Sequence, residues 1–485
     1  MKLPDNLFLT SGEEDKAAYI KMMGLAAKAV ADSMSHDKAY AGMTPDELRK
    51  VIANGELLPE NGVTFEELMQ EVSQKILPNF LRPSSTNYMA HLHSPALLES
   101  IAAELILATF NQSMDSWDQA PVATEVEVDV IRKLCRLYGY GEESDGVFTS
   151  GGSQSNLSGL LLARDRFCNE VLNWDVKKKG LPADFRKFRM YTSEVSHFSM
   201  EKSAHLMGLG YDAVVKVPVD DKMRMDMGAL ETLICKDVEA GLLPFCIGAT
   251  VGTTDFGSID PLMELRTLCD KYDLWLHADA AYGSGVIMSE KYASRVAGLA
   301  ECDSITVDFH KMFMLPISCS ASLVKDGRYF EALTLHADYL NREEDEEEGY
   351  INLVNKSMQT TRRFDALKVW MSFHFRGKKG WSSLITKCID NAAFFYEELK
   401  KDPEFDAVVE PEISSVVFRC LPEKGAEETA DDMNKRIRRT LLHKYGVVIG
   451  QTVCRGKVYL KFTLLNPLLT HEKLQELMEL ILSLR

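Results

Sequence analysis

A lysine and a carboxylate stand in two short segments where each could do chemistry. Residues 306–311 read Thr-Val-Asp-Phe-His-Lys, and residues 277–283 read His-Ala-Asp-Ala-Ala-Tyr-Gly. Asp279 and Lys311 are 311 − 279 = 32 residues apart, and each segment follows or contains an apolar run. This spacing fits a strand, a helix and a second strand, which returns both strand ends to one edge of a parallel sheet. We therefore expect the two side chains to share a site.

The chemistry of this pair points to one cofactor. A lysine that forms a Schiff base must lose its proton, and a nearby cationic group such as His310 favours the neutral amine. A pyridine ring withdraws electrons only while its nitrogen is protonated, and a carboxylate such as Asp279 can hold that proton. Singly, a His-Lys pair is typical of a solvated surface and an aspartate after a strand is typical of a cap. Together they predict pyridoxal 5′-phosphate.

A turn that could hold a phosphate lies upstream. Residues 148–156 read Phe-Thr-Ser-Gly-Gly-Ser-Gln-Ser-Asn and lead into leucines at helical spacing. The glycines allow close approach of the backbone, Ser153 offers a hydroxyl, and the first N–H groups of the helix favour an anion. An ordinary glycine-serine helix cap is the alternative interpretation of this turn.

Two further strand ends carry candidate ligands. Residues 191–199 form a strand end with His197, which could stack on a flat cofactor, although a lone histidine at such a junction is more often structural. Residues 247–254 form another apolar strand with small hydroxylated residues at its end, where Thr250 could donate a hydrogen bond to the cofactor.

In this order, the motifs resemble those of the group II pyridoxal-phosphate-dependent amino acid decarboxylases over nearly the whole chain. The resemblance implies that Lys311 binds the cofactor covalently, that His310 contacts its phosphate and that Asp279 pairs with its ring nitrogen. It also implies that Ala281 and His197 lie against the two ring faces, with His197 helping to place the substrate carboxylate. The remaining cofactor contacts implied by the resemblance are Gly152, Ser153 and Thr250.

The resemblance also narrows the substrate. Residues 111–121 and 352–368 are similar to the bacterial branch that includes L-2,4-diaminobutyrate decarboxylases and siderophore-type lysine decarboxylases. We therefore expect a diamino acid, with aspartate or glutamate as the alternative. The substrate contacts implied by likeness are His91, His93 and Asp115 at the site entrance and Lys461 at the place of a carboxylate-binding arginine. Two further alternatives are a pyridoxal-phosphate lyase or aminotransferase and a catalytically silent paralogue.

The residue that returns a proton to the substrate carbon is less clearly indicated. Residues 342–350 form an acidic run that ends in Tyr350 and is typical of a solvated loop. In the family the corresponding loop reaches across a dimer and carries a tyrosine that donates this proton. Here Leu353 falls near the place of that tyrosine and Tyr350 lies three residues earlier. Tyr350 and His197 are therefore both candidate donors.

Composition restricts the class of partner. The 485-residue chain has a net charge of −17, which argues against nucleic acid and anionic membranes, since binding those depends on clustered basic residues. Its ten cysteines show no metal-binding or disulfide spacing, so we expect reduced thiols, no metal and a cytoplasmic protein. No apolar stretch reaches the roughly 20 residues that span a bilayer.

The order of apolar patterns predicts three regions. Residues 1–84 are mainly amphipathic helices, which in the family pack against a second subunit, so we expect a homodimer with its active site at the subunit interface. Residues 85–375 alternate strands and helices, and residues 376–485 form a smaller α+β domain. The resemblance implies fold type I, an α/β architecture with a mainly parallel sheet of the seven-stranded type.

Overall fold

The computed structural model contains two β-sheets and describes residues 7–53, 56–337, 341, 344 and 347–485. Much of the predicted acidic loop, residues 342–343 and 345–346, lies outside the described residues. The strands are β1 (Tyr88–Met89), β2 (Asp145–Thr149), β3 (Phe188–Ser193), β4 (Val214–Val217), β5 (Leu243–Thr250), β6 (Trp275–Asp279), β7 (Ser304–Asp308), β8 (Ser320–Val324), β9 (Phe405–Ala407), β10 (Ser415–Cys420), β11 (Val448–Cys454) and β12 (Lys457–Thr463).

Helices cover both sheets. The α-helices span Glu13–Ser33, Pro45–Ile52, Phe65–Glu71, Leu98–Phe110, Pro121–Leu137, Gly152–Arg166, Val176–Lys179, Ser199–Leu206, Met227–Glu239, Leu262–Tyr272, Ala366–Lys401, Ala430–Thr440 and His471–Ser483. The 3₁₀ segments span Leu77–Asn79, Trp117–Gln119, Phe185–Lys187, Tyr211–Ala213, Gly283–Met288, Ala293–Glu301, Gly327–Ala332 and Leu353–Lys356, and the π-helical turns span Val72–Ile76, Phe167–Val171 and Leu441–Tyr445.

The larger sheet has seven strands in the order β2-β8-β7-β6-β5-β3-β4. Strand β8 runs antiparallel to both of its neighbours, and the other pairs are parallel. Strands β6 and β7 are buried along their whole length, as expected for parallel strands covered on both faces. The predicted α/β fold with a mainly parallel, seven-stranded sheet is confirmed.

The connection between β6 and β7 differs from the sequence prediction. The helix that the spacing predicts between these two strands is instead the 3₁₀ segment Ala293–Glu301. This winding brings Gly298 against the preceding helix, where a Cβ at residue 298 would lie 2.6 Å from the Cβ of Leu262. Strand β7 itself is present where the apolar run predicts it.

An aromatic cluster ties the lysine segment to the glycine turn. Phe309 stacks on Phe148 with 5.6 Å between ring centroids, and Phe313 packs against both Phe309 and Trp381. These four side chains are buried. Burying each ring contributes about 1.5–3 kcal/mol, and the cluster fixes residues 309–313 relative to the end of β2.

The smaller sheet has the order β1-β11-β12-β10-β9. Strand β1 lies parallel to β11, so residues 88–89 join the C-terminal sheet although they fall within the predicted large region, residues 85–375. The helix Ala366–Lys401 connects the two regions and breaks at Gly377, which has a positive φ of 60°. The division at residues 84 and 375 remains a proposal.

The N-terminal helices pack loosely on the rest of the chain. The helix Glu13–Ser33 has no buried residue. The α-helix Phe65–Glu71 is followed directly by a π-helical turn, Val72–Ile76. Within the described residues, no helix is both long and apolar enough to cross a membrane. The same residues contain no cluster of three or more side chains arranged for a metal ion.

Candidate active site

A cavity of about 480 Å³ opens where several strands of the large sheet end. Thr250, Asp279 and Asp308 are the last residues of the adjacent parallel strands β5, β6 and β7. The lining residues are Leu92, Ser150, Gly151, Gly152, Ser153, Gln154, Asn156, His197, Thr250, Gly252, Thr254, Asp279, Ala281, Tyr282, Asp308, His310, Lys311, Ile317 and Ser318. All eight residues predicted to bind the cofactor are among them.

Lys311 reaches into this cavity from the turn after β7. Its Nζ lies 3.0 Å from Oδ2 of Asp308, a carboxylate that is itself buried. The other oxygen of Asp308 is buried without a hydrogen-bond partner among the described residues. Gly152 is required here, because a Cβ at that position would lie 2.7 Å from Asp308 Oδ2. The structure thus adds Asp308 to the site, holding the lysine ammonium.

His310 is turned toward the neighbouring strand. Its Nδ1 lies 2.9 Å from the carbonyl oxygen of Cys319, so the Nδ1–H donates to that oxygen. The other nitrogen, Nε2, lies 3.6 Å from Asp308 and borders the cavity.

Asp279 lines the cavity from the end of β6 and is held by two donors. It is 5% exposed, its Oδ2 accepts a 2.9 Å hydrogen bond from Asn156 Nδ2, and its Oδ1 accepts one of 3.2 Å from the backbone N–H of Ala281. These two donors fix the position of the carboxylate. Its pairing with a ring nitrogen stays a prediction.

His197 lines the cavity from the segment before the helix Ser199–Leu206. Its Nδ1 lies 2.8 Å from Oγ of Ser199, and its ring lies 4.2 Å from the ring of Phe198. Burial lowers the pKa of His197, while the carboxylate of Asp279 acts in the opposite direction. The neutral imidazole is the form that burial favours.

The glycine turn forms one wall of the cavity. The helix Gly152–Arg166 begins there with Gly151 at its N-cap, which has no side chain to bond the first N–H groups. Those groups have no partner within a helix and can bind an anion. Gln154 braces the turn, since its Oε1 accepts hydrogen bonds from the backbone N–H and the hydroxyl of Ser150. This wall fits a phosphate.

Thr250 presents an unsatisfied hydroxyl. Its Oγ1 is buried without a hydrogen-bond partner in the part of the chain that the structure describes, whereas its backbone N–H donates to Asp260 at 2.7 Å. Burial of an unpaired hydroxyl costs about 1–3 kcal/mol, so the geometry favours a ligand that pairs with it. The orphan hydroxyl, the phosphate wall and the Lys311–Asp279 pair together fit pyridoxal 5′-phosphate.

The predicted substrate residues lie outside this lining. His91 and His93 flank Leu92, which does line the cavity, and follow β1 on the small sheet. Lys461 lies on β12 and donates to the carbonyl of Thr254 at 3.1 Å. Asp115 is buried and accepts a 2.6 Å hydrogen bond from Ser113. The two histidines and Lys461 thus adjoin the lining residues Leu92 and Thr254, and we call this side of the cavity the mouth. Asp115 is not among the lining residues.

Tyr350 is not brought to the cavity of its own chain. Its side chain is 40% exposed, and its ring packs edge-on against Trp117 at 5.0 Å. The sequence prediction for Tyr350 depends on its likeness to a loop of the family. The position of a loop residue depends on tertiary contacts, which local sequence patterns do not reveal. Its predicted catalytic role remains a prediction.

Comparison with known proteins decides the family. Residues 45–421 match the model described as the pyridoxal-dependent decarboxylase conserved domain. The chain belongs to this family. The decarboxylase is 38% identical to an L-2,4-diaminobutyrate decarboxylase of Acinetobacter baumannii, over 98% of this chain and 94% of that protein. It is 35% identical to an enzyme of the same name from Rhizobium meliloti strain 1021, over 98% and 93% of the two chains.

Solved structures agree with this assignment. The decarboxylase superimposes with a TM-score of 0.90 and 36% identity on the glutamate decarboxylase domain of diaminobutyrate-pyruvate transaminase and L-2,4-diaminobutyrate decarboxylase from Vibrio parahaemolyticus. The alignment covers 99% of this chain and 98% of that one. The predicted family and the pyridoxal phosphate cofactor are confirmed, and the enzyme is a carboxy-lyase.

Two residues that sequence reasoning missed hold the predicted ones in place. Asp308 contacts Lys311, and Asn156 contacts Asp279. Asp308 stands three residues before the lysine, and this spacing on one turn was an available signal. Asn156 offered no such signal, because it meets Asp279 across 123 residues of sequence.

Proposed function

We propose that this enzyme removes the α-carboxylate of L-2,4-diaminobutyrate, giving carbon dioxide and 1,3-diaminopropane. The names of the two curated relatives support the substrate. The structural observation that carries the proposal is at the mouth of the cavity, where the one predicted cation for an acidic substrate is already neutralised. Lys461 Nζ lies 2.8 Å from Oδ1 of Asp255.

This ion pair is tightly held. The Lys461 side chain is 6% exposed and also donates to the carbonyl of Thr254. Asp255 Oδ2 accepts a 2.7 Å hydrogen bond from Thr452, which fixes the carboxylate. A lysine paired in this way offers no free charge to a substrate carboxylate, and binding one would bury an uncompensated anion. This argues against aspartate and glutamate.

A second ammonium suits the same place. Thr254 lines the cavity and Asp255 is the next residue, with its carboxylate 36% exposed. Among the lining residues that the structure describes there is no arginine, which is the usual bidentate partner of a side-chain carboxylate. The buried Lys461 ammonium is already engaged by Asp255 and Thr254, whereas the partly exposed Asp255 carboxylate still offers acceptor sites to an amine at the far end of the substrate.

Each cavity residue has a proposed task. The glycine turn and Ser153 bind the phosphate, His310 borders it, Ala281 and His197 enclose the ring, and Asp279 holds the proton on its nitrogen. Bound in this way, pyridoxal 5′-phosphate supplies a sink for the electron pair that remains when carbon dioxide leaves. Asp308 positions Lys311 and compensates its charge before it binds the cofactor.

His197 is the proton donor that one chain can supply to its own cavity, since Tyr350 packs on Trp117. Tyr350 acts only if it enters the cavity of a second copy. Mixing inactive Lys311→Ala and Tyr350→Phe chains distinguishes these roles. If Tyr350 acts in a neighbouring site, random reassembly restores about a quarter of wild-type activity, because half of the dimers are mixed and each has one intact site.

A homodimer is supported by uncovered apolar surface. The helix Leu98–Phe110 exposes Leu98, Ile101 and Phe110, and the N-terminal helix Glu13–Ser33 exposes Ile20. Contiguous exposed apolar surface marks an interaction site. We expect Leu98→Lys with Ile101→Glu to yield monomers by light scattering, while the control Val238→Glu, on another exposed helix position, leaves the dimer intact.

A cytoplasmic location is supported by the cysteines. All ten are free thiols and nine of them are buried. Unpaired thiols are typical of a reducing compartment.

The deciding experiment measures carbon dioxide and amine release by cofactor-loaded enzyme with 2,4-diaminobutyrate, ornithine, lysine, aspartate and glutamate. The highest kcat/KM with diaminobutyrate supports the proposal. A preference for lysine keeps the basic class but corrects the chain length, and a preference for an acidic substrate overturns it. Keto acid or elimination products without carbon dioxide would support an aminotransferase or lyase, and no product at all a silent paralogue.

A further inference from the structure

A line of buried polar side chains runs behind the cavity wall. It starts at Trp275, passes through Ser304 and His277, and reaches Asn156, where it branches to Asp279 and to Ser199. From Ser199 it ends at His197. Several of these side chains are absent from the cavity lining. The directions of these hydrogen bonds follow from two groups that act in one way alone, since the Trp275 indole N–H donates and the Asp279 carboxylate oxygen accepts.

The direction of the first hydrogen bond is set at Trp275. An indole N–H can only donate, so Ser304 Oγ accepts the 2.9 Å bond from Trp275 Nε1. The single hydrogen of the Ser304 hydroxyl is then free for His277 Nδ1, which lies 2.8 Å away. Because a hydroxyl oxygen can also accept two hydrogen bonds, the role of His277 Nδ1 is decided at the other end of the line. The Asp279 carboxylate can only accept from Asn156 Nδ2, so the Asn156 oxygen faces His277 Nε2 and that nitrogen carries the proton.

His277 passes the direction on. It is fully buried, and burial lowers its pKa to about 4, so the ring is neutral at physiological pH. With its one proton on Nε2, which donates to Asn156 Oδ1 at 3.0 Å, the neutral ring accepts at Nδ1. Gly159 makes room for this ring, since a Cβ there would lie 2.5 Å from His277 Nδ1.

The amide of Asn156 is oriented by the Asp279 carboxylate, which can only accept a hydrogen bond from it. Its oxygen faces His277, so both hydrogens of Nδ2 are directed to the other side. One meets Asp279 Oδ2 and the other meets Ser199 Oγ, each at 2.9 Å. The opposite orientation would place the amide oxygen against the carboxylate oxygen and leave the Nδ2 hydrogens facing the N–H of His277.

Ser199 transfers this orientation to His197. Its hydroxyl oxygen accepts from Asn156, and its one hydrogen is available to His197 Nδ1 at 2.8 Å. The backbone N–H of Ser199 points to the same nitrogen at 3.3 Å. His197 Nδ1 therefore accepts, and the ring proton is on Nε2, the nitrogen not engaged with Ser199.

We infer that Asn156 and His277 are positioning residues that fix His197 as its Nε2–H tautomer and at the same time hold Asp279 with a donor. One amide thus sets both an N–H donor for the substrate carboxylate and the carboxylate for the ring nitrogen. The use of these two groups in catalysis rests on the proposed function, but the tautomer itself does not.

The test reads the tautomer directly. Cofactor-loaded enzyme labelled with ¹⁵N-histidine is measured by solid-state NMR, and the His197 signals are assigned by their loss in His197→Asn. We expect Nδ1 unprotonated and Nε2 protonated in the wild type. In Asn156→Asp both terminal atoms are acceptors, so the Ser199 hydroxyl turns toward the new carboxylate. The Nε2–H to Nδ1–H ratio of His197 then falls by about fivefold, the equivalent of one hydrogen bond.

A second variant covers the case in which Asn156→Asp does not fold. Ser199→Ala removes one of the two donors to His197 Nδ1 and should lower the same ratio by a smaller factor. Ser155→Ala is the matched control, because Ser155 is a buried serine beside Asn156 whose hydroxyl bonds Thr149 and Ser320 instead. It should leave the ratio unchanged.

Two results would overturn the inference. One is a wild-type His197 with its proton on Nδ1, and the other is an unchanged ratio in every folded variant of Asn156 and Ser199. Absence of diaminobutyrate turnover in the wild type would overturn the proposed substrate alone, since the NMR signals are recorded without substrate.

Discussion

The two ends of the cavity are built in different ways. We call the side that Asp279 lines the inner end, and there the carboxylate is held by Asn156 and the backbone of Ala281 and is almost completely buried. At the mouth, Lys461 lies on the smaller sheet whereas Asp255 follows β5 of the larger one, and Asp255 is partly open to solvent. At the inner end the position of one carboxylate, Asp279, is fixed by its hydrogen bonds. At the mouth the ion pair forms only when the smaller sheet packs against the larger one.

This difference separates cofactor chemistry from substrate choice. Groups at the ends of adjacent parallel strands are held by the whole sheet and keep their geometry whichever substrate binds. The residues at the mouth can change their contacts without disturbing the groups at these strand ends. We therefore expect substitutions at the inner end to reduce turnover of every substrate, and substitutions at the mouth to change which substrate is preferred.

The largest effect is expected from Lys311→Ala. Loss of the amine removes the covalent attachment point, so carbon dioxide release should fall by more than about 10³-fold. Borohydride reduction followed by mass spectrometry should no longer find cofactor on the peptide that contains residue 311. Lys325→Ala, at a half-exposed lysine paired with Glu301, is the control and should behave as wild type. Retained turnover in Lys311→Ala would reject the assignment.

Asp279→Asn should be nearly as damaging. The amide cannot hold a proton on the ring nitrogen, so we expect kcat to fall by about 10²- to 10³-fold for all substrates while the cofactor stays bound. Kinetics with two substrates and the cofactor absorbance check both parts. A loss confined to diaminobutyrate would contradict the division between the two ends.

Acid should weaken the inner end through His277. Below about pH 6.5 the unfolded chain protonates this imidazole, whereas the folded protein does so only when the pH approaches its pKa of about 4, because burial lowers the pKa and the nearby Asp279 carboxylate compensates only in part. Stability should therefore fall as the pH drops through this window, by roughly 3 kcal/mol from this group. Thermal unfolding of His277→Asn should show a smaller decrease over the same window.

A histidine at the mouth provides the comparison. Partial burial, and next the neighbouring His310, lower the pKa of His93, but the ring remains partly exposed. We expect His93→Asn to change the pH dependence of unfolding less than His277→Asn. Equal effects would show that the inner end is no more shielded than the mouth.

The smallest effect is expected from Asp255→Asn. Releasing Lys461 from its partner provides a free cation, so the ratio of kcat/KM for diaminobutyrate to that for aspartate should fall by roughly tenfold, equivalent to about 1.4 kcal/mol. Asp406→Asn, on the same small domain as Lys461 but beside Tyr459, is the matched control. An unchanged ratio would remove Asp255 and Lys461 from substrate selection.

The sequence predicts the inner end well because its signals are local. Apolar runs locate β5, β6 and β7, and the residue that closes each strand necessarily reaches the same sheet edge, which is why Thr250 and Asp279 meet there. Asn156 escapes such reasoning, since its partner lies far away along the chain. The role of Lys461 in substrate binding stays a prediction, and its pairing with Asp255 depends on how the smaller sheet packs against the larger one.

The parallel pairing of β1 with β11 couples parts of the mouth mechanically. His91 and His93 follow β1 directly, and Lys461 lies on β12, the other neighbour of β11. The three side chains are therefore attached to one hydrogen-bonded sheet. His91 and Lys461 are nevertheless 461 − 91 = 370 residues apart in sequence. A tilt of the smaller sheet against the larger one would therefore move all three side chains together and widen or narrow the entrance to the cavity.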